Sequence, residues 1–236
     1  MKALVLAAGK GTRLGSASGG MPKPLIDVGG STPLELALEW LAALQLERIW
    51  INVHGHAELV RERIGGTAGG IEVSYSFEPE LLGTAGAWKK LEREWDDTSL
   101  VVYGDNVMRF DAAALLATHR GSGALMTIAV FDPERTIHSG TAGGRARIEG
   151  GRVREFVERG GAGMINAGVY CVEPELRERL TPGYTDFGHD VLPTLAGSGE
   201  VAAHVLERGA WCLGVDTPER LECARVALRS RMEVAP

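Results

Sequence analysis

Cysteine is scarce in this sequence: Cys171, Cys212 and Cys223 are the only three in 236 residues, and no two form a CxxC pair. An odd number of widely spaced thiols excludes a disulfide framework and a zinc site, and fits a protein of the reducing cytoplasm. Long apolar runs are missing too. No purely apolar run exceeds six residues, 3–8 being one, which is too short for a membrane span or a signal-peptide core. There is no cationic excess, because 25 Lys and Arg face 31 Asp and Glu for a net charge of −6. Neither a nucleic acid nor a membrane is therefore expected as a partner. Lysine itself is rare, with Lys2, Lys10, Lys23, Lys89 and Lys90 set against 20 arginines. In a chain that prefers arginine so strongly, a lysine in a polar loop points to chemistry. Repeats, linkers and low-complexity stretches are absent. The sequence therefore carries no assembly signal, and a homo-oligomer stays open.

What is plentiful is glycine, 32 residues of 236, about double the usual ~7%. Residues 2–7 read as a buried strand running into a glycine-rich loop over 8–21. Pro22 and Pro24 keep that loop from turning helical at once. Thr32, Pro33 and Glu35 spell an N-cap, a first helical position and a capping box, and Leu34, Leu38, Leu41 and Leu44 follow on one face. Strands are then expected at 49–53, 71–77, 100–103 and 124–130, with helices at 56–64, 84–95 and 111–119. This βαβ spacing predicts an α/β fold: a single Rossmann-like, doubly wound sheet, mostly parallel but mixed. The remainder reads as a hairpin of 146–149 and 152–157 about Gly150-Gly151, strands at 164–172 and 201–206, short helices at 175–180 and 187–195, and a last helix from Thr217-Pro218-Glu219. One domain over 1–236, with halves meeting near residue 130, is the simplest organisation.

The strongest local feature is Leu6-Ala-Ala8-Gly9-Lys10-Gly11-Thr12-Arg13-Leu14, followed by Pro22-Lys23-Pro24. Gly9 and Gly11 let backbone N–H groups approach an anion, and Arg13 and Lys23 add fixed positive charge, a combination that suits a triphosphate. A Walker A loop is absent, and the dinucleotide fingerprint is broken by Leu14, with Gly15 one residue late. His54 and His56 flank Gly55 without a third ligand nearby, so a satisfied loop pair is expected rather than a metal site. His119 falls near a helix C-terminus, where its charge would be favourable. Arg145, Arg147, Arg152 and Arg154 give the hairpin a solvated cationic face, and the five tryptophans read as core or interface.

The loop, with its GxGTRL and PKP segments, resembles the opening signature of the sugar-1-phosphate nucleotidyltransferases. Five later segments extend the resemblance in the family's order: Leu82-Gly-Thr-Ala-Gly-Ala87, Tyr103-Gly-Asp105, Phe156-Val-Glu-Arg159, Ile165-Asn-Ala-Gly-Val169 and Val215-Asp-Thr-Pro-Glu219. It implies nucleotidyl transfer from an NTP to a hexose or heptose 1-phosphate, with Mg²⁺ as cofactor and a smaller, sugar-binding half over 131–236. Arg13, Lys23 and Asp105 become the catalytic candidates, and Asp105 with Asp216 the metal ligands. Leu6, Ala8, Gly9, Gly11, Thr12, Arg13, Gly83, Thr84, Ala85 and Gly86 fall to the nucleotide, the last three small enough to admit a flat base. Lys23, Gly140, Glu158, Arg159 and Asn166 fall to the sugar phosphate. Physical reasoning agrees with this chemistry, since two anionic reactants need charge neutralisation and in-line positioning, and Mg²⁺ takes one or two protein carboxylates. The sequence departs from the family where Arg159 replaces a lysine and where Asp216 stands in Gly-Val-Asp-Thr-Pro rather than D-x-G-T-P. That second arrangement resembles cytidylyltransferases acting on an acidic sugar. Two other readings stay open: a cytidylyltransferase for phosphocholine, a phosphonate or an acidic sugar, and a nucleotide-sensing domain without turnover.

Overall fold

The computed structural model describes residues 1–9, 14–15, 19–140 and 143–232, the side chains of 230–232 excepted. The first elements are β1 (Lys2–Leu6), α1 (Pro33–Ala42), β2 (Arg48–Val53), α2 (Ala57–Ile64), β3 (Thr67–Ala68), β4 (Ile71–Phe77) and α3 (Gly83–Lys90). Next come β5 (Ser99–Tyr103), β6 (Asn106–Arg109), α4 (Ala112–Ser122), β7 (Met126–Phe131), β8 (Ile137–His138), β9 (Arg145–Glu149) and β10 (Arg152–Val157). The chain then runs through β11 (Met164–Val172), α5 (Leu192–Ala196), β12 (Val201–Val205), β13 (Trp211–Gly214) and α6 (Pro218–Met232).

Ten strands form one sheet in the order β3-β4-β2-β1-β5-β11-β7-β12-β10-β9. β4, β2, β1 and β5 lie parallel, as the βαβ spacing demands. β11 then enters antiparallel between β5 and β7. β12 is parallel to β7, and β10 is antiparallel to both β12 and β9. The beginning of β11 also pairs with β9, so this part of the sheet curls back on itself. The parallel character thus belongs to the first half of the chain, and the second half mixes it.

Successive strand residues feed two cores. Ala3 and Val5 pack with Leu34, Leu38 and Leu41 of α1 and Leu115 of α4. Leu4, on the other face, packs with Trp88 of α3, Trp95 and Leu192 of α5. Burial on both faces explains why β1 and β5 are apolar runs rather than alternating strands. Trp88 and Trp95 stack with centroids 5.8 Å apart, and their indole N–H groups donate to Ser99 Oγ and the Trp88 carbonyl. The capping box forms as its residues require: the Glu35 N–H donates to Thr32 Oγ1 at 3.2 Å and the Thr32 N–H to Glu35 Oε2 at 2.9 Å. Gly150 and Gly151 adopt φ of 58° and 76°, as a two-residue hairpin turn needs.

A second, three-stranded sheet, β6-β13-β8, has no counterpart in the sequence-based expectation. Val107, Trp211 and Leu213 pack there against Leu221, Ala224 and Leu228 of α6. Other differences are local. The helix expected over 84–95 ends at Lys90 and gives way to a 3₁₀ turn over Glu92–Glu94. The helix expected at 175–180 is a 3₁₀ turn over Pro174–Arg179, and the one at 187–195 opens as a π-turn over Phe187–Val191 before α5. His119 lies in the last turn of α4, as expected. It is buried, with Nδ1 at 2.8 Å from Thr127 Oγ1 and Nε2 at 2.7 Å from Glu173 Oε1. Among the described residues no helix is long and apolar enough to cross a membrane.

Candidate active site

Two cavities open beyond the carboxyl ends of the parallel strands, where open α/β sheets place their ligands. The smaller, of about 250 Å³, is bounded by Leu6, Ala8 and Gly9 at and after the end of β1, by Asn52 near the end of β2, by Glu78 after β4, and by Gly83 and Thr84 of α3. The larger, of about 860 Å³, reaches Gly140, Glu158, Arg159, Asn166, Asp216 and Arg220. Gly9, Lys23, Tyr103, Asp105, Tyr184 and Asp186 border both. The two spaces therefore meet at a lysine and a carboxylate.

Lys23 is presented by a rigid turn, a single 3₁₀ step over Lys23–Leu25 flanked by Pro22 and built around Pro24. Its side chain is only 9% exposed, and its Nζ lies 3.6 Å from Asp105 Oδ2 and hydrogen-bonded to Asp216 Oδ1. Asp105 and Asp216 are 111 residues apart in the sequence. The small sheet brings them together: Asp105 immediately precedes β6, Asp216 follows β13, and the antiparallel register sets Asn106 opposite Gly214. Asp216 also meets Arg220, Nη1 to Oδ2 at 3.3 Å. Burial holds the Asp105 carboxyl above its ordinary range, with Lys23 pulling against this and Asp216 adding to it. Two carboxylates sharing one lysine fit a cation such as Mg²⁺, which uses one or two protein carboxylates and otherwise takes substrate phosphates and water. Among the described residues no cluster of three or more His, Cys, Asp and Glu side chains exists to form an all-protein cage.

The wall of the smaller cavity is a buried polar chain. The Ala7 N–H donates to Asn52 Oδ1 at 2.7 Å, Asn52 Nδ2 to Glu78 Oε1 at 2.8 Å, and the Leu82 N–H to Glu78 Oε2 at 3.1 Å. Three loop starts are thereby tied together. Gly83 and Thr84 line the cavity, whereas Ala85 and Gly86 turn away from it. The Ala85 and Gly86 N–H groups donate to the Thr185 carbonyl at 3.0 and 2.9 Å. A Cβ on Gly83 would stand 2.4 Å from that same oxygen, and one on Gly86 2.4 Å from the Gly183 carbonyl. The small residues of this turn thus make room for the 183–185 backbone. Thr84 Oγ1 donates to Asp186 Oδ2 at 2.9 Å and accepts from the Phe187 N–H at 2.8 Å, which locks that strap to α3.

In the larger cavity Glu158 is half-buried, and its Oε2 has no hydrogen-bond partner among the described residues. Burial and the nearby Asp186 push its carboxyl up, opposed by His189 and Arg159. Asn166 stands at a bulge in β11, where its Oδ1 accepts from the Gly168 N–H at 3.0 Å and its Nδ2 donates to the Tyr170 hydroxyl at 2.7 Å. That hydroxyl donates on to Tyr103 at 3.2 Å, so the chain of donors ends where the cavities join. Arg159 lies exposed at the rim. Gly11, Thr12 and Arg13 lie outside the described residues.

The sequence model of the family described as nucleotidyl transferase matches residues 2–216. The chain belongs to that family. The chain is 32% identical over 219 residues to UTP–glucose-1-phosphate uridylyltransferase of Synechocystis, an alignment covering 84% of this chain and 56% of the relative. It is 29% identical over 218 residues to the mannose-1-phosphate guanylyltransferase catalytic subunit beta of Dictyostelium discoideum, covering 89% and 60%. The chain therefore spans 56–60% of the length of these curated relatives. The crystal structure of HddC from Yersinia pseudotuberculosis, complexed with GMP-PN, superposes with a TM-score of 0.81 at 25% identity, covering 96% of this chain and 99% of that one.

Sequence reasoning missed five residues that shape the site: Asn52, Glu78, Tyr103, Asp186 and Arg220. Asn52 had a legible signal, a polar side chain among the apolar residues 49–53. Arg220 stands four residues beyond Asp216, the spacing of neighbours on a helix face. Tyr103 stands in a segment already singled out, whereas for Glu78 and Asp186 the bonds that bring them to the site come from distant residues, Asn52 and Thr84.

Proposed function

We propose that this nucleotidyl transferase joins an NTP to a hexose or heptose 1-phosphate, giving an NDP-sugar and pyrophosphate. The observation that carries the reading is the meeting of two cavities at Lys23 and Asp105. In such a reaction a phosphate oxygen of the acceptor attacks the α-phosphorus and pyrophosphate leaves on the opposite side, so charge neutralisation and alignment are the main tasks of the protein. Lys23 stands at the junction as a fixed point charge between the two reacting phosphates. Asp105 and Asp216 would hold Mg²⁺, which when bound offsets the negative charge of the phosphates. Arg13, in the preceding glycine loop, would add charge on the side of the leaving pyrophosphate. Glu158, in the lining of the larger cavity, would accept from the sugar hydroxyls. The Tyr103 hydroxyl supplies a polar group at the junction.

The reading takes 1–236 as one functional unit in a reducing cytoplasm, in keeping with three free thiols.

The test is pyrophosphate release over four NTPs and a panel of sugar 1-phosphates, phosphocholine and phosphonates, with Mg²⁺ and with EDTA. Metal-dependent release with one NTP and one sugar 1-phosphate is expected. Release only with phosphocholine or a phosphonate would overturn the sugar acceptor. NTP binding without release from any pair would instead favour a sensing domain.

A further inference from the structure

We propose that Arg220 holds the phosphate of the acceptor, and that the larger cavity therefore carries its own phosphate clamp, separate from Lys23. The inference rests on the nucleotidyl-transfer reading above and assigns a residue within it. Arg220 lies in the first turn of α6, and its side chain is 17% exposed. It borders the larger cavity and not the smaller one, whereas Lys23 borders both. A cation confined to the acceptor side is suited to the acceptor's phosphate. A cation at the junction is suited to the transferred phosphorus.

The surroundings of Arg220 are built to present it. Asp216, one turn earlier, meets its Nη1 at 3.3 Å and fixes one edge of the guanidinium. Gly140 faces the other edge: a Cβ there would stand 2.8 Å from Nη2 and 2.9 Å from Nε. The guanidinium thus occupies the volume a side chain at 140 would fill. A guanidinium offers five N–H donors in a planar fork, and one carboxylate contact leaves enough of them for a bidentate grip on phosphate. Arg159 is the rival cation on the same cavity, but it is exposed, so solvent screens its charge.

Arg220 contacts Asp216 and would also act if its only task were to orient that carboxylate. Steady-state kinetics of Arg220→Gln, Arg220→Lys and Arg159→Gln separate the two roles. For Arg220→Gln the KM for the sugar 1-phosphate is expected to rise by about 10- to 100-fold, the loss typical of a charged hydrogen-bond pair. The KM for the NTP and the Mg²⁺ concentration giving half-maximal rate should change by less than about twofold. Arg220→Lys should recover part of the loss, and Arg159→Gln should shift the same KM far less. An unchanged sugar-phosphate KM with an altered Mg²⁺ requirement would overturn the assignment and leave Arg220 orienting Asp216. Calorimetric titration of inorganic phosphate gives a readout independent of turnover. Weaker binding to Arg220→Gln than to the unmodified protein supports the clamp, and equal binding overturns it. Absence of turnover in the unmodified protein would sink the nucleotidyl-transfer reading, and the phosphate titration would still decide this one. If Arg220→Gln fails to fold, Arg220→Lys decides in both assays, because the clamp predicts a weakened sugar-phosphate KM for it and an orienting role does not.

Discussion

Asp105 carries a proton more readily in the folded chain than in the unfolded one, because burial raises its carboxyl pKa by more than Lys23 lowers it, and Asp216 adds to the rise. A carboxyl with a raised folded pKa subtracts stability once it ionises: the penalty is absent at acid pH and grows as pH climbs through the folded value. Asp105→Asn removes that penalty while leaving Lys23 its bond to Asp216. In EDTA at neutral pH this variant is expected to melt no lower than the unmodified protein, and the difference between the two should close on acidification. Its Mg²⁺-dependent pyrophosphate release should fall by about 100-fold or more, the scale seen when a group aimed at transition-state charge is removed. Thermal melts across pH 4–8 and initial-rate assays check the two halves of this expectation. A variant that loses stability and activity in parallel would mean that Asp105 has a structural role instead.

Single elements carry their own tests. α1 is held at its start by the reciprocal bonds of Thr32 and Glu35, and Glu35 also accepts from Arg63 Nε at 2.7 Å. Burial raises the Glu35 carboxyl, but the bonds from Arg63 and Thr32 outweigh it and the net shift is downward. The stability it contributes is therefore present above the unfolded pKa and lost as pH falls through the folded one. Thr32→Ala should lower the unfolding free energy by about 1 kcal/mol in urea titrations. Glu35→Gln should be less stable than the unmodified protein at pH 7, with the gap closing in acid. Neither substitution should move a KM, since α1 does not border the cavities. The strap over 183–187 behaves differently. Thr84→Val removes the hydroxyl that joins Asp186 to the Phe187 N–H, and an unpaired buried group costs about 1–3 kcal/mol. Because Tyr184 and Asp186 border both cavities, the KM values for both substrates should rise together. A change confined to the NTP would show that the strap serves the smaller cavity alone.

For the molecule as a whole, the decisive feature is where β11 lies. It comes from residues 164–172 yet sits between β5 and β7 of the first half. The two halves divide near residue 130 in sequence but interleave in one sheet. Calorimetry should accordingly show one transition whose van't Hoff and calorimetric enthalpies agree. A fragment ending at residue 130 should fail to unfold cooperatively, because β5 and β7 would each lose the neighbour between them. Two resolved transitions in the full chain would contradict this.

Much of the architecture follows from local sequence. Apolar runs and Pro, Gly and Thr punctuation mark β1, β2, β4, β5, α1 and the Gly150-Gly151 hairpin, because each depends on period, cap or turn chemistry within a few residues. The small sheet was not legible. β8 has two residues and β6 and β13 four each, and their pairing joins Arg109 to Trp211 across more than 100 residues. The site divides the same way. Lys23 and Asp105 stand out in the sequence as chemistry-bearing groups beside a glycine-rich loop and a strand end, and Asp216 and Glu158 through the family resemblance. Only the register of β6 on β13 brings the two aspartates to one lysine, and only the packing of α6 beside Gly140 sets Arg220 in the wall of the larger cavity. A sequence sets which groups are available and which segments are rigid. Which of them share a few ångströms is decided by non-local pairing and close packing, where partners are chosen by the whole fold.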